Sequence, residues 1–261
     1  MLDLEAYLAR IGLSGRPSLA QVHRAHATSI PFENLDPQRG VPVSLVPEDL
    51  ERKLVTEHRG GYCFEQNLLL GSALQTLGAQ VDPLLARVRL GAGGATRPRS
   101  HLVLRVHARD ATWHADVGFG PGSPLEPLPF GAGVEHEQSG WRFRVVEDGR
   151  ELVLQAVEEG DWVDLYGFVP EAVPLIDVET SSWWTSTHPR SPFVSGLMVA
   201  AQSPDGTRTT LSDWGELVLT EQTPAGSKVA PVTRDAVPEL LATRFGLNGF
   251  TLDDRDRVVP G

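Results

Sequence analysis

The stretch Arg59-Gly60-Gly61-Tyr62-Cys63-Phe64-Glu65-Gln66-Asn67 contains the one cysteine among the 261 residues of the chain. Two glycines precede the thiol and apolar residues at helical spacing follow it, which predicts a tight turn with Cys63 at a helix N-terminus. Unsatisfied N–H groups and the helix dipole at such a position favour a thiolate over a thiol. The stretch therefore predicts a helix that presents a nucleophilic sulfur.

Two later motifs supply the groups that a nucleophilic cysteine needs. Ser100-His101-Leu102 and Asp116-Val117-Gly118-Phe119-Gly120 give the chain order Cys, His, Asp. Cysteine catalysis requires an imidazole beside the sulfur and a group that orients the imidazole. We therefore predict Cys63, His101 and Asp116 as the catalytic residues, with His101 starting a strand at a sheet edge.

The other histidines give a weaker signal. His114 lies two residues from Asp116 and offers a rival base or half of a metal pair. No further histidine or cysteine stands at metal-ligand spacing in a clear ligand pattern, so we expect no metal.

Hydrophobic periodicity changes along the chain. Apolar residues follow a helical period up to about residue 80, and the longest helix candidate runs from Cys63 to Leu77 and ends at Gly78. From Val81 the period becomes two, and the tail from Thr233 to Phe245 is helical again. Helices followed by strands and a mixed tail predict an α+β protein rather than a βαβ nucleotide-binding fold.

Charge and composition exclude several function classes. The formal net charge of −11 argues against nucleic acid or an anionic membrane as partner. No apolar run approaches the roughly 18 residues of a membrane span, and the first residues do not resemble a signal peptide. A single cysteine cannot form an intrachain disulfide, which agrees with a reducing cytoplasm.

One segment departs from this acidic character. Residues 83–109 contain no Asp or Glu, but they contain six arginines, namely Arg87, Arg89, Arg97, Arg99, Arg105 and Arg109. Such a segment predicts a place for an anionic small molecule such as a phosphorylated cofactor. Outward-facing strand residues and a solvated loop are the open alternative.

The motifs resemble those of the arylamine N-acetyltransferases. The cysteine stretch is similar to the signature of that family, and four other landmarks stand in the same order along the chain. These are Ile30-Pro31-Phe32-Glu33-Asn34-Leu35, the two motifs around His101 and Asp116, and Ser186-Thr187-His188-Pro189-Arg190-Ser191-Pro192-Phe193. Ser100 stands where threonine is more common in the family, and it keeps the hydroxyl.

The resemblance implies an architecture of three domains. Residues 1–82 would form an N-terminal helical bundle carrying the cysteine, and residues 83–180 a central antiparallel β-barrel carrying the histidine and aspartate. Residues 181–261 would form a C-terminal α/β lid. The core would hold a triad like that of the cysteine proteinases.

The resemblance also implies an activity. An acetyl group would pass from acetyl-CoA through a Cys63 thioester to an arylamine, arylhydrazine or hydrazide in a ping-pong cycle, without a metal. The expected enzyme is cytoplasmic, serves xenobiotic metabolism and has a homodimer among its expected states, with no nucleic-acid or membrane partner.

On this reading we assign further site residues and one ion pair. The expected cofactor contacts are Ser100, Gly120, Gly122 and Ser123, and the expected acceptor-pocket residues are Phe32 and Phe193. Arg59 and Glu33 would form an ion pair that joins two of the motifs.

Three alternatives remain at this stage. An amide synthase would take an acyl chain from a carrier protein and close it into a macrolactam on an internal aromatic amine. A papain-like or transglutaminase-like hydrolase shares the Cys, His, Asp order. A non-enzymatic binding module would keep its activity after replacement of Cys63.

Overall fold

The computed structural model describes residues 2–108 and 111–261. The N-terminal part is mainly helical. It contains α1 (Leu4–Arg10), α2 (Leu19–Ser29), the short strand β1 (Phe32–Glu33), α3 (Leu35–Gln38), α4 (Pro47–Glu51) and α5 (Cys63–Thr76). A π-helical turn, Arg52–Thr56, continues α4. None of the described helices is long and apolar enough to cross a membrane.

The helix α5 begins at Cys63, as the sequence predicts. Tyr62 is extended, and its N–H donates to Oε2 of Glu65 at 3.0 Å, which satisfies a donor at the start of the helix. The helix ends at Thr76, and Gly78 takes a left-handed conformation with φ of 98°. The predicted helix and its glycine stop are confirmed to within one residue of the predicted end.

A nearly closed antiparallel sheet of eight strands forms the centre of the molecule. Its order is β5-β4-β3-β2-β9-β8-β7-β6. The strands are β2 (Gln80–Val88), β3 (His101–Ala108), β4 (Ala111–Ala115), β5 (Leu128–Pro129), β6 (Glu135–Gln138), β7 (Trp141–Asp148), β8 (Glu151–Glu158) and β9 (Asp161–Phe168). Side chains such as Phe143, Leu154 and Tyr166 fill its core.

The prediction that His101 lies at a sheet edge holds for the residue but not for its strand, because pairing of β3 with β4 begins only at Leu104. The strand β3 pairs with β2 on one side and with β4 on the other, and His101 is opposite Ala86. The apolar run after His101 is buried, which is the pattern of an interior strand rather than an edge.

A second sheet lies in the C-terminal part, with order β1-β10-β11-β12-β13. Its elements and their neighbours are α6 (Leu175–Thr187), α7 (Pro192–Ser195), β10 (Leu197–Gln202), β11 (Arg208–Asp213), β12 (Leu217–Thr223), β13 (Gly226–Pro231), α8 (Val237–Phe245), β14 (Phe250–Leu252) and β15 (Val258–Pro260). The strand β1 pairs with β10, so the segment Phe32–Glu33 belongs to this sheet although it is distant in sequence. The pairing draws the N-terminal and C-terminal parts of the chain together beside Cys63.

The three-domain division stays a prediction, but its boundaries as predicted fall inside elements. The boundary after residue 82 lies within β2, and the boundary after residue 180 lies within α6. A continuous strand or helix does not separate domains, because its backbone hydrogen bonds cross the proposed division. Loops on either side of these elements are better places for the boundaries.

Candidate active site

The structure brings together the three residues that the sequence predicts as catalytic. Cys63 opens α5, His101 opens β3, and Asp116 directly follows β4. Nε2 of His101 lies 2.8 Å from Oδ2 of Asp116, and Sγ of Cys63 lies 3.7 Å from the carbonyl oxygen of Ser100, the residue before His101. All three side chains are buried. The arrangement is a hydrogen-bonded imidazole and carboxylate, with the thiol on the same cavity wall as the imidazole.

Four hydrogen bonds fix Asp116. Its Oδ2 accepts a hydrogen bond from the imidazole of His101. Its Oδ1 accepts hydrogen bonds from Nδ2 of Asn67 and from the N–H of Gly118, each at 2.8 Å. Its own backbone N–H donates to Nε2 of His23 at 3.1 Å. Burial alone would raise the pKa of this carboxyl, but the charge of His101 and these hydrogen bonds outweigh burial and hold the pKa well below its usual range. Asp116 is therefore a fixed carboxylate.

The same interactions shift the pKa of the His101 imidazole in the opposite direction. Burial alone would lower its pKa, but attraction to Asp116 and hydrogen bonds to Asp116 and Cys63 raise the pKa to about 10. Its ring packs against Phe119 and Tyr166, with centroid distances of 5.1 and 4.7 Å. The site therefore favours an imidazolium beside the sulfur at neutral pH.

Gly118 allows the loop after Asp116 to pack on the start of α5. A Cβ atom at this position would lie 2.6 Å from Cα of Cys63 and 2.8 Å from Nδ2 of Asn67. Neither contact can relax without moving the catalytic segment, because one is backbone and the other holds Asp116. Only glycine fits here, which explains the glycine in the motif.

Sequence reasoning missed two residues that position the triad. Asn67 follows Cys63 by one helical turn, and this spacing is a signal that could have placed it on the same face. His23 lies on α2, and its buried Nδ1 contacts the carbonyl of Leu125 at 3.1 Å while Nε2 accepts from Asp116. Burial lowers the pKa of His23 to about 4, so the ring is neutral.

A second group of buried charges adjoins the first turn of α5. We call Glu33, Asp36, Lys53, Arg59 and Glu65 the ion-pair cluster. The predicted pair of Arg59 and Glu33 is confirmed, with 2.5 Å between Nη2 and Oε1. Nζ of Lys53 lies 2.7 Å from Oε1 of Glu65 and 2.6 Å from Oδ2 of Asp36. Because Glu65 also holds the N–H of Tyr62, the cluster fixes the turn that precedes the cysteine.

A cavity of about 840 Å³ opens onto the triad. Its wall includes Cys63, His101 and four of the residues predicted as contacts, namely Phe32, Phe193, Ser100 and Gly122. The rings of Phe32 and Phe193 are 5.9 Å apart and tilted, and they form an aromatic part of the wall. The volume is that of a small-molecule site rather than of a cleft for a protein chain.

Two predicted cofactor contacts do not line this cavity. Gly120 is buried, with φ of 65°, and an added Cβ would lie 3.2 Å from the end of Met198. Oγ of Ser123 accepts the N–H of Phe119 at 2.7 Å and is therefore used within the turn. Both residues shape the loop that carries Phe119 past His101.

The arginine-rich segment does not act as one positive surface. Arg89 contacts Asp148, Glu151 and Asp164, and Arg105 contacts Asp82, because the fold brings carboxylates from other strands to them. Arg87 donates to the carbonyl of Arg97, and Arg99 is exposed. Arg97 is the member of the segment on the cavity wall, and Arg109 lies outside the described residues.

His114 is not placed as a base for the sulfur. Its Nε2 lies 2.8 Å from the hydroxyl of Tyr166, its ring stacks on Phe168, and burial lowers its pKa to about 4. Within residues 2–108 and 111–261, no three His, Cys, Asp or Glu side chains are grouped as metal ligands.

Comparison with known proteins gives one consistent result. A family model described as N-acetyltransferase matches residues 17–252. The chain is 39% identical to the arylamine N-acetyltransferase of Mycolicibacterium smegmatis over 98% of this chain and 95% of the relative. It is 31% identical to that of Escherichia coli, over 98% and 95%. The structure of the Mycobacterium marinum arylamine N-acetyltransferase in complex with CoA superimposes with a TM-score of 0.89, at 38% identity, covering 94% and 93% of the two chains.

Proposed function

The chain belongs to the arylamine N-acetyltransferase family, and on this premise we propose that Cys63, His101 and Asp116 carry out acetyl-CoA-dependent N-acetylation of aromatic amines and hydrazines. The observation that carries the assignment of residues is the buried pair of His101 and Asp116, hydrogen-bonded at 2.8 Å, whose imidazole lies with the Cys63 thiol on the wall of one cavity. Family membership supports the reaction, and the geometry supports the role of each residue.

The first half-reaction loads the enzyme. The Cys63 thiolate attacks the thioester carbonyl of acetyl-CoA, a carbon–sulfur bond to Cys63 forms, and the bond to the CoA sulfur breaks. Free N–H groups at the first turn of α5 stabilise the oxyanion of the tetrahedral intermediate. The imidazolium of His101 supplies the proton that leaves with CoA as its thiol.

The second half-reaction transfers the acetyl group. An arylamine enters beside Phe32 and Phe193, and its nitrogen attacks the acetyl-cysteine carbonyl. His101, now neutral, accepts the amine proton while Asp116 keeps the ring in the required tautomer. The bond to the Cys63 sulfur then breaks and the N-acetylated product leaves, which restores the thiolate and imidazolium.

The residues of the cavity fit acetyl-CoA as a co-substrate. Ser100 and Gly122 lie on the wall with Cys63, where they would border the acyl-carrying arm, and Arg97 adds a positive charge. Gly120 and Ser123, predicted as direct contacts, would act instead by holding the loop of Phe119. The need for a reduced thiol supports a cytoplasmic location and a role in acetylating aromatic xenobiotics. A homodimer stays a prediction.

Intact-mass spectrometry tests this function. Wild-type protein mixed with acetyl-CoA should gain the mass of one acetyl group, and addition of an aromatic amine should remove it and release N-acetylated amine. Cys63→Ala should gain nothing, and His101→Gln is the control that keeps the thiol. If acetyl-CoA never loads Cys63 while a carrier-bound acyl group does, the macrolactam-forming alternative is correct. Peptide or isopeptide hydrolysis without an amine acceptor would favour the hydrolase.

A further inference from the structure

A buried arginine on the cavity wall has two donor nitrogens without a partner among the described residues. Arg208 begins β11, is only 3% exposed, and lines the same cavity as Cys63. Its Nε and Nη2 make no hydrogen bond within the described residues. The guanidinium lies over the ring of Trp141, with Cζ 3.6 Å from the centroid, and near that of Phe143. Aromatic faces support this cation but do not use its N–H donors.

The charge of Arg208 is not compensated by a close carboxylate. Burial lowers its pKa to about 10, against the attraction of Glu158, so the side chain is still a cation at neutral pH. Glu158 attracts Arg208 by its charge, but among the described residues Nε and Nη2 of Arg208 have no hydrogen-bond partner. A buried cation without a partner is unfavourable, and such a group on a cavity wall is a candidate for binding an anionic ligand.

The sheet register gives the position of Arg208 relative to the sulfur. Met198 packs against the hydrophobic cluster of Cys63 and Phe32, and it lies four residues before Gln202 on β10. Gln202 is directly opposite Arg208 on β11. Four strand residues span about 13 Å, and residues at even spacing share a face. We infer that Arg208 lies about 13 Å along the sheet from the level of Met198, which packs beside Cys63.

The charges on the cavity wall favour an anion. The wall includes Arg97, Arg190 and Arg208 and one carboxylate, Glu158. This excess of positive charge occurs in a chain whose formal net charge is −11. Gln202, opposite Arg208 on β10, also has a buried Oε1 without a partner among the described residues. A guanidinium that reaches the cavity presents its N–H donors in a fork that matches a phosphate or carboxylate.

We propose that Arg208 determines substrate selectivity by binding an anionic group of a ligand in the cavity, away from the reacting carbonyl. The proposal rests on the proposed function. The anion has two possible sources, a phosphate of the acyl donor or a carboxylate on the aromatic acceptor. Its separation from Cys63 allows Arg208 to contact the ligand while the sulfur attacks the acyl carbon.

Matched substrates with and without the anion test this proposal. The donors are acetyl-CoA and S-acetylpantetheine, which lacks phosphate, and the acceptors are 4-aminobenzoate and aniline. Arg208→Met removes the charge and keeps a side chain that packs on Trp141, and Arg208→Lys restores a point charge. Arg150→Met is the control, because Arg150 is 84% exposed and contacts Glu171 at 3.4 Å. Rates of Cys63 acetylation and of product formation are measured separately, with thermal unfolding as the check on folding.

The outcomes separate the two sources. A loss of about 10- to 100-fold in kcat/KM with acetyl-CoA and none with S-acetylpantetheine would identify the donor phosphate. A loss confined to 4-aminobenzoate would identify the acceptor carboxylate, and Arg208→Lys should recover part of either loss. Equal losses with all four substrates, or no loss, would overturn the proposal. If neither donor acetylates the wild-type protein, the proposed function itself fails. If the wild type is acetylated but Arg208→Met changes none of the substrate preferences, only this inference is rejected.

Discussion

The triad and the ion-pair cluster are two buried groups of charge that meet at the first turn of α5. Both join a carboxylate to a cation at hydrogen-bond distance, as in His101 with Asp116 and Lys53 with Glu65. They differ in access to the cavity, because Cys63 and His101 lie on its wall while no residue of the ion-pair cluster does. Buried charged side chains can take part in a reaction only where a reactive atom is open to the cavity that receives the substrate. Elsewhere the same interactions hold the backbone in place.

The triad and the ion-pair cluster also differ in the number of charged partners that each carboxylate contacts. In the ion-pair cluster Asp36 contacts Lys53, Arg59 and Arg39, so its carboxylate is surrounded by cations. In the triad the Asp116 carboxylate has one charged partner, and its other contacts are an amide and a backbone N–H. The single charge of Asp116 is therefore directed to one imidazole. Changing one residue in each group should affect different properties of the protein.

The largest expected effect follows from Asp116→Asn. Asparagine keeps the shape but removes the charge that raises the pKa of His101, and its amide group stabilises the wrong tautomer. We expect the rate of acetyl transfer to fall by about 10⁴-fold, and the free energy of unfolding at neutral pH to fall as well, because the charge that raises the pKa of His101 is lost. Free CoA release and denaturant unfolding measure the two quantities. Asp82→Asn, which alters a partly exposed pair with Arg105, is the control. A loss of less than 10-fold would show that Asp116 is only structural.

Lys53→Met should change stability rather than chemistry. It leaves the carboxylates of Asp36 and Glu65 in the interior without their shared cation, and loss of one partner of a buried pair costs about 3–5 kcal/mol. Urea unfolding measures this cost, and the folded fraction should still acetylate Cys63 at nearly the wild-type rate. The adjacent Arg52→Met disrupts exposed pairs and should cost less than about 1 kcal/mol. A Lys53→Met protein of normal stability without activity would contradict the distinction between the two groups.

Local signals in the sequence predicted the elements that carry the site. The glycine turn and apolar spacing around Cys63 predicted the start of α5, and period-two alternation predicted most strands of the central sheet. Helix α6 and strand β11 were missed. The first mixes Ser, Thr and Trp without a clear apolar face, and the second begins with an arginine whose burial depends on Trp141 from another sheet.

Contacts between distant segments set the limit of sequence reasoning. His23 bonds the backbone of Asp116 across 93 residues, and no spacing rule connects α2 to the end of β4. The arginines of residues 83–109 resembled a positive patch because the carboxylates that neutralise Arg89 and Arg105 lie on other elements. The acidic partners could be assigned only after the strands were paired.

We infer that Asp116 keeps His101 as an imidazolium beside the Cys63 sulfur. Because the folded protein raises the pKa of His101, the imidazolium stabilises the fold fully below the ordinary pKa of about 6.5 and ceases to do so as pH rises through about 10. Histidine-ring ¹⁵N NMR of wild-type protein measures this directly, with His101→Gln used to assign the resonance. We predict that the His101 ring is still protonated at pH 8 and becomes neutral there in Asp116→Asn. A His101 ring that titrates at or below about pH 6.5 in the wild type would contradict the claim.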